Sequence, residues 1–196
     1  MPRGRGNRRP ISKPAAPSQR RDLYPQLLSA TLATSAADVT TSVEVKLPIS
    51  NQASANASGR AQALEILKVY ISFPSISTGL QIATQAASLN RLVALSTRNH
   101  GTVIAPGSDP HVIMNFADAK NFGTDVGEVY LPDSFVVDLS DGAGHGVLVG
   151  GSSLFLQYKT TGFGVVDTVD IKIMYRTTNV DSWEWFGMLA QQTSAT

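Results

Sequence analysis

Seven cationic side chains crowd the first 21 residues: Arg3, Arg5, Arg8, Arg9, Lys13, Arg20 and Arg21, with no acid among them. Six of the seven are arginine, whose planar fork makes paired hydrogen bonds to a phosphate. A flexible polycation also gains affinity for any polyanion by releasing condensed counterions, without reading its sequence. Phosphate contact is therefore the chemistry this segment offers. A second group is Asp133, Asp138 and Asp141, in PDSFVVDLSDGAG. Carboxylates at a loop are candidate calcium ligands: Asp138 and Asp141 between two chains, with Asp133 as an extra ligand. Their spacing is not that of an EF-hand, and Asp141-Gly142 equally reads as a solvated turn.

Catalytic patterns are missing. The three histidines, His100, His111 and His145, are far apart, and neither His-x-His nor His-Glu-x-x-His occurs. With no cysteine, thiol catalysis, disulfides and Cys-ligated metals are excluded, and no catalytic metal or other cofactor is expected beyond a structural calcium. Gly150-Gly151-Ser152-Ser153-Leu154 lacks the spacing of a nucleophile elbow and leads into a strand pattern, not a helix. Gly142-Ala143-Gly144-His145-Gly146 lacks the Gly-Lys-Ser/Thr of a phosphate loop and reads as a wide, flexible turn. Trp183 and Trp185 fall on one face by alternation; packing or a subunit contact is the expected use, ahead of stacking on bases. The triplet Asn56-Ala57-Ser58 fits a glycosylation sequon, but with a basic start followed by no apolar segment no secretory leader is expected, and the match is read as chance.

The elements that must position these residues divide sharply. Residues 1–21 carry +7, while the remaining residues hold nine basic and fifteen acidic side chains, a net of −6. Pro2, Pro10, Pro14 and Pro17 with Gly4 and Gly6 predict an arm that is disordered when free. No apolar helix face accompanies its charges, so no membrane partner is expected. Residues 22–38 form a connecting strap, read either as a short helix through Leu23, Leu27 and Leu28 interrupted at Pro25, or as an extended segment along the body.

From residue 39 to 196 the chain is β-rich. Val39, Thr41, Val43, Val45 and Leu47 alternate on one face, and Leu67, Val69, Ile71 and Phe73 repeat the pattern. Residues 61–70 also suit a helix, but β-branched and aromatic residues thicken toward the end of that run and favour a strand. Further strands are predicted over 79–86, 91–98, 111–117, 134–139, 152–160 and 167–178. In the last, Val169, Ile171, Ile173 and Tyr175 share a face. Eight short strands with turn signals and no long helix predict an all-β jelly roll of two four-stranded antiparallel sheets. A seven-stranded immunoglobulin-like sandwich is the other arrangement considered.

The stretches LPDSFVVDLSDGAGHGVLVGG, SLFLQYKTTG and VDIKIMYRTTNV, behind an arginine-rich arm, resemble single jelly-roll capsid proteins of small circular Rep-encoding single-stranded DNA viruses. Small plus-strand RNA and satellite virus coats share the same plan. The resemblance implies a non-enzymatic coat protein that self-assembles into an icosahedral shell of 60 copies or a multiple. It further implies single-stranded genomic nucleic acid as partner of the arm, and a virion location, with host nucleus or cytoplasm during assembly. The alternatives are a cellular nucleic-acid-binding β-domain and a cupin-like enzyme, the latter weakened by the scattered histidines.

Overall fold

The computed structural model of the chain describes residues 24–34, 39–49, 60–74, 88–121, 134–162 and 166–193. Within them lie β1 (Gln26–Ala33), β2 (Thr41–Lys46), β3 (Arg60–Ser72), β4 (Ser88–Ser96), β5 (Val112–Asn121), β6 (Ser134–Asp138), β7 (Val147–Val149), β8 (Ser153–Thr161), β9 (Thr168–Asp181) and α1 (Ser182–Thr193). The first sheet has the order β1-β9-β3-β6, with β7 also paired to β3; the second has the order β2-β8-β4-β5. The chain crosses between sheets at nearly every connection, and strands from its two ends lie side by side: Gln26 opposes Tyr175, and Thr41 opposes Tyr158. Two antiparallel sheets wound in this way are a jelly roll, the expected class. The predicted strand at 79–86 and the sequon at 56–58 lie outside the described residues.

The structure adds to the sequence reading in four places, bearing out the strand over 61–70 and departing from the reading at β7 and at Leu67. The segment left open between helix and strap contains β1, an edge strand carried by its pairing with β9. Three-residue β7 gives the first sheet a fifth strand where four were expected; it is too short for alternation to reveal. Residues 61–70 are extended, because β3 is lined by β9 on one side and by β6 and β7 on the other, and that pairing outweighs the helix preference of Ala, Leu and Glu. Finally, a bulge between Ile66 and Lys68 switches the inward residues from Leu64 and Ile66 to Val69, Ile71 and Phe73. Leu67 is the extra residue and does not share the face of Val69, as simple alternation predicted.

The core lies between the sheets. Leu64, Ile66, Val69, Ile71, Val169, Ile171 and Ile173 of the first sheet pack on Val93, Leu95, Leu154 and Leu156 of the second, all essentially inaccessible. At one end the core becomes polar. Arg91, at an inward position of β4, is 1% exposed; Asp167, just before β9, is 0% exposed. Arg91 Nε donates to Asp167 Oδ2 at 2.7 Å, the Tyr158 hydroxyl of β8 donates to the same oxygen, and Thr168 N–H donates to Oδ1 at 3.0 Å. Arg91 also lies 4.4 Å over the Phe73 ring, which stacks on Tyr158. Burial, then the Asp167 charge, pushes the Tyr158 hydroxyl far above its usual pKa, so it remains a donor at all working pH. Thr34, after β1, clasps the same position: its N–H donates to Asp167 O at 2.9 Å, and its hydroxyl accepts from Asp167 N–H at 3.1 Å.

Removing the carboxylate takes away the acceptor shared by a buried guanidinium and a buried hydroxyl. Asp167→Ala is expected to cost about 3–5 kcal/mol, whereas Ser29→Ala, exposed on β1, stays within about 0.5 kcal/mol. Denaturant unfolding of the two variants checks the contrast.

Candidate functional site

The arm cations Arg3, Arg5, Arg8, Arg9, Lys13, Arg20 and Arg21, and Asp133 of the carboxylate group, lie outside the described residues. Asp138 and Asp141 are both described. Asp138 closes β6, where Lys68 of β3 sits directly opposite and contacts its Oδ2 at 2.8 Å. Its Oδ1 accepts from the Ser140 N–H (3.0 Å) and hydroxyl (2.6 Å). These bonds, led by that from Lys68, hold the Asp138 carboxyl well below the usual carboxylate range and raise Lys68. Asp141 Oδ1 accepts from the N–H groups of Ala143 (2.8 Å) and His145 (3.0 Å), and these backbone bonds, His145 first, lower its pKa. Within the isolated chain both carboxylates therefore build the turn, the second of the two uses read from their spacing.

The glycine cluster between β6 and β7 is pinned. Asp141 N–H donates to His145 O at 2.8 Å. Gly142 and Gly144 take φ of +80° and +88°, which glycine adopts without strain. Gly146 passes so close to the β3 bulge that a Cβ there would lie 2.0 Å from the Ile66 carbonyl oxygen. Beneath this loop lies a pair that sequence reading missed. Glu65 of β3 and Arg176 of β9 are directly opposite. Arg176 donates from Nε to Glu65 Oε2 and from Nη2 to Oε1 (3.0 Å), and Nη2 also reaches Gly144 O at 2.6 Å. Gly146 N–H completes the set at 2.9 Å from Glu65 Oε1. The Arg176 bonds outweigh desolvation and lower the Glu65 pKa. The available signal was a glutamate inside an apolar strand pattern, in AQALEILKVY.

The histidines do not converge. His100 Nε2 lies 3.8 Å from Asp109 Oδ2, and His111 N–H donates to Asp109 Oδ1 at 2.8 Å, both in the loop between β4 and β5. His145 belongs to the loop on the other sheet, 3.8 Å from Glu65. Among the described residues, no group of three His, Asp or Glu could hold a metal, and no helix is long and apolar enough to cross a membrane.

Trp183 and Trp185 are separated by the structure. Both lie in α1, where two positions differ by about 200°, so the expected common face does not form. Trp185 packs on Ala61, Ala63 and Val180 of the outer first sheet, and its indole edge lies 3.4 Å from where a Cβ on Gly150 would stand. Trp183 is 88% exposed. Glu184 in the first turn of α1 suits the helix dipole.

No family model matches the chain, and no curated protein matches it in sequence. Solved structures do. VP1 of Trichodysplasia spinulosa-associated polyomavirus, in complex with GM1 oligosaccharide, aligns with 79% of this chain and 95% of its own, at TM-score 0.51 and 10% identity. Apo New Jersey polyomavirus VP1 aligns over 80% and 100%, at TM-score 0.52 and 10% identity. A Merkel cell polyomavirus virus-like particle aligns over 93% and 83%, at TM-score 0.52 and 11% identity. At such identity the likeness is one of fold: the chain has the jelly roll found in these viral capsid proteins.

The lowered Glu65 pKa has a pH consequence. A carboxylate depressed in the folded state contributes stability above its unfolded value, near 4.5, and loses it as pH falls through the lower folded value. Glu65→Gln is therefore expected to lower stability at pH 7 by about 1.5–3 kcal/mol and to flatten the stability loss below pH 4.5, read by melting temperature against pH.

Proposed function

We propose that this chain is a viral coat protein that self-assembles into an icosahedral shell of 60 copies or a multiple and packages single-stranded nucleic acid through its N-terminal arm. The observation that carries the reading is the jelly roll, shared with VP1 and virus-like-particle structures, behind an arm of +7 and no acid. The division of labour is physical. Body surfaces make the protein contacts that set shell geometry, while Arg3, Arg5, Arg8, Arg9, Lys13, Arg20 and Arg21 supply attraction that needs no base sequence. The role is structural and not catalytic. A circular single-stranded DNA genome is the more specific form of the reading, supported by the resemblance over 131–151, 153–162 and 169–180; the protein's location is then the virion, with the host nucleus or cytoplasm during assembly.

Negative-stain microscopy and size-exclusion chromatography of the expressed protein are expected to show megadalton particles, and extraction to show whether DNA or RNA is inside. A monomer or trimer under all conditions overturns the coat reading in favour of a cellular nucleic-acid-binding β-sandwich. For the unassembled subunit, log affinity for a single-stranded oligonucleotide is expected to fall against log salt with a slope of about −5, and Arg8→Ala with Arg9→Ala to flatten it by about 1.4. A slope near zero, measured by fluorescence anisotropy, removes the arm from the contact.

A further inference from the structure

The loop between β4 and β5, residues 97–111, folds over the outer face of the second sheet and is stapled there. Gln157 points outward from β8, between the inward Leu156 and Tyr158, and the loop buries it completely. Its Oε1 accepts from Ala105 N–H at 3.0 Å, and its Nε2 donates to Val103 O at 2.8 Å. Asn115 of β5 donates to Ala105 O at 2.6 Å. These bonds fix the middle of the loop. Its ends meet where Thr97 N–H donates to His111 O at 2.9 Å.

One carboxylate and two histidines lie between the stapled middle and the closed ends. Asp109 Oδ1 accepts from His111 N–H at 2.8 Å, a local cap that uses one of its two oxygens. The other, Oδ2, stands 3.8 Å from His100 Nε2, too far for a hydrogen bond. That nitrogen is shut off from water and has no hydrogen-bond partner. Val103 N–H leans on the His100 carbonyl at 3.4 Å, so the unsatisfied ring sits one bond from the stapled middle. The second ring, His111, is buried, with Nδ1 3.5 Å from the Thr97 hydroxyl. Among the described residues, Asp109 is the acid within 4.0 Å of the His100 ring. Other charges on this side are exposed Arg98 in the loop, Glu44 and Lys46 on the outer face of β2, and Lys159 on that of β8.

We propose that His100 and Asp109 form a proton-operated latch on the 97–111 loop, open while the imidazole is neutral and closed by an ion pair once it is charged. A charged ring carries a proton on both nitrogens, so the enclosed Nε2 must then donate, and Asp109 Oδ2 is the acceptor facing it. A movement of about 1 Å brings the two to the length of a charge-assisted bond. An imidazolium gains from the carboxylate what a neutral ring does not, so the latch closes on the acid side. It opens again as pH rises and the ring gives up its proton. Closing it firms the loop against Gln157 and sets how rigidly the exposed tip, Thr102 and Val103, is presented. The latch does not depend on the coat reading, because it lies within one chain.

Hydrogen exchange on the full protein tests it, with the rates at Val103 and Ala105 divided by their intrinsic values at each pH. Protection at both amides is expected to rise about threefold from about pH 8 to about pH 5, in step with the titration of the His100 ring followed by NMR. Asp109→Asn keeps an oxygen for the His111 N–H and removes the charge. That variant and His100→Gln are each expected to abolish the rise, whereas His145→Gln, on the other sheet, keeps it. Protection that stays level with pH in the parent, or a rise that survives in Asp109→Asn, overturns the latch. Should a variant fall below the parent melting temperature, the parent alone decides: a loop transition that does not coincide with the His100 titration overturns the proposal.

Discussion

A buried carboxylate, Asp167, ties the two sheets at one end. Asp167 precedes β9 in the first sheet, while Arg91 and Tyr158 belong to adjacent strands of the second. A charge with no exposure is tolerable only where donors reach both of its oxygens, and here they come from both layers. The hydrophobic packing between the sheets is non-directional and would accept small slides of one layer on the other. The hydrogen bonds are directional and do not. Through the Thr34 clasp the same point also fixes the end of β1, so the polar node sets sheet angle, strand register and one sheet edge together.

The first sheet repeats this economy on its outer face. One glutamate, Glu65, is bonded by the strand beside it and by the loop above it, and the loop in turn covers the bulge that switches the inward residues of β3. Beyond the bulge, Lys68 and Asp138 pair across strands on the same outer face. Exposed as it is, that pair contributes little stability; its worth lies in holding β6 in register where the chain leaves for the turn.

How much of this was legible in the sequence follows from range. Alternation in VDIKIMYRTT marks β9 and its inward residues correctly, because a strand with one face buried writes period two into the sequence. The Asp141-Gly142 turn was legible for a similar reason, since side chain and backbone bond locally. Arg91 and Asp167 are 76 residues apart, and nothing in either neighbourhood announces the other. The bulge at Leu67 was hidden because a register shift is a property of two strands. Trp183 and Trp185 misled because alternating aromatics fit a strand as well as the first turn of a helix, and only packing on Ala61 and Ala63 decides. The charge of the arm, +7 with no acid, is read directly from its residues, and the phosphate attraction proposed for it needs no defined geometry.

The pairing of β1 with β9 also dictates a timetable. Gln26 must wait for Tyr175, and β2 for β8, so most pairings join residues made far apart during synthesis. β9 is the interior strand on which both β1 and β3 depend. A ribosome releasing this chain exposes the basic arm before the apolar strands that follow it, whose partners do not yet exist. The sandwich closes only after β9 has emerged, late and in one cooperative step, as expected for a fold rich in distant contacts. During that interval the nascent chain presents unpaired edges alongside bare positive charge, and chaperones or polyanions encountered then meet a molecule very different from the finished subunit.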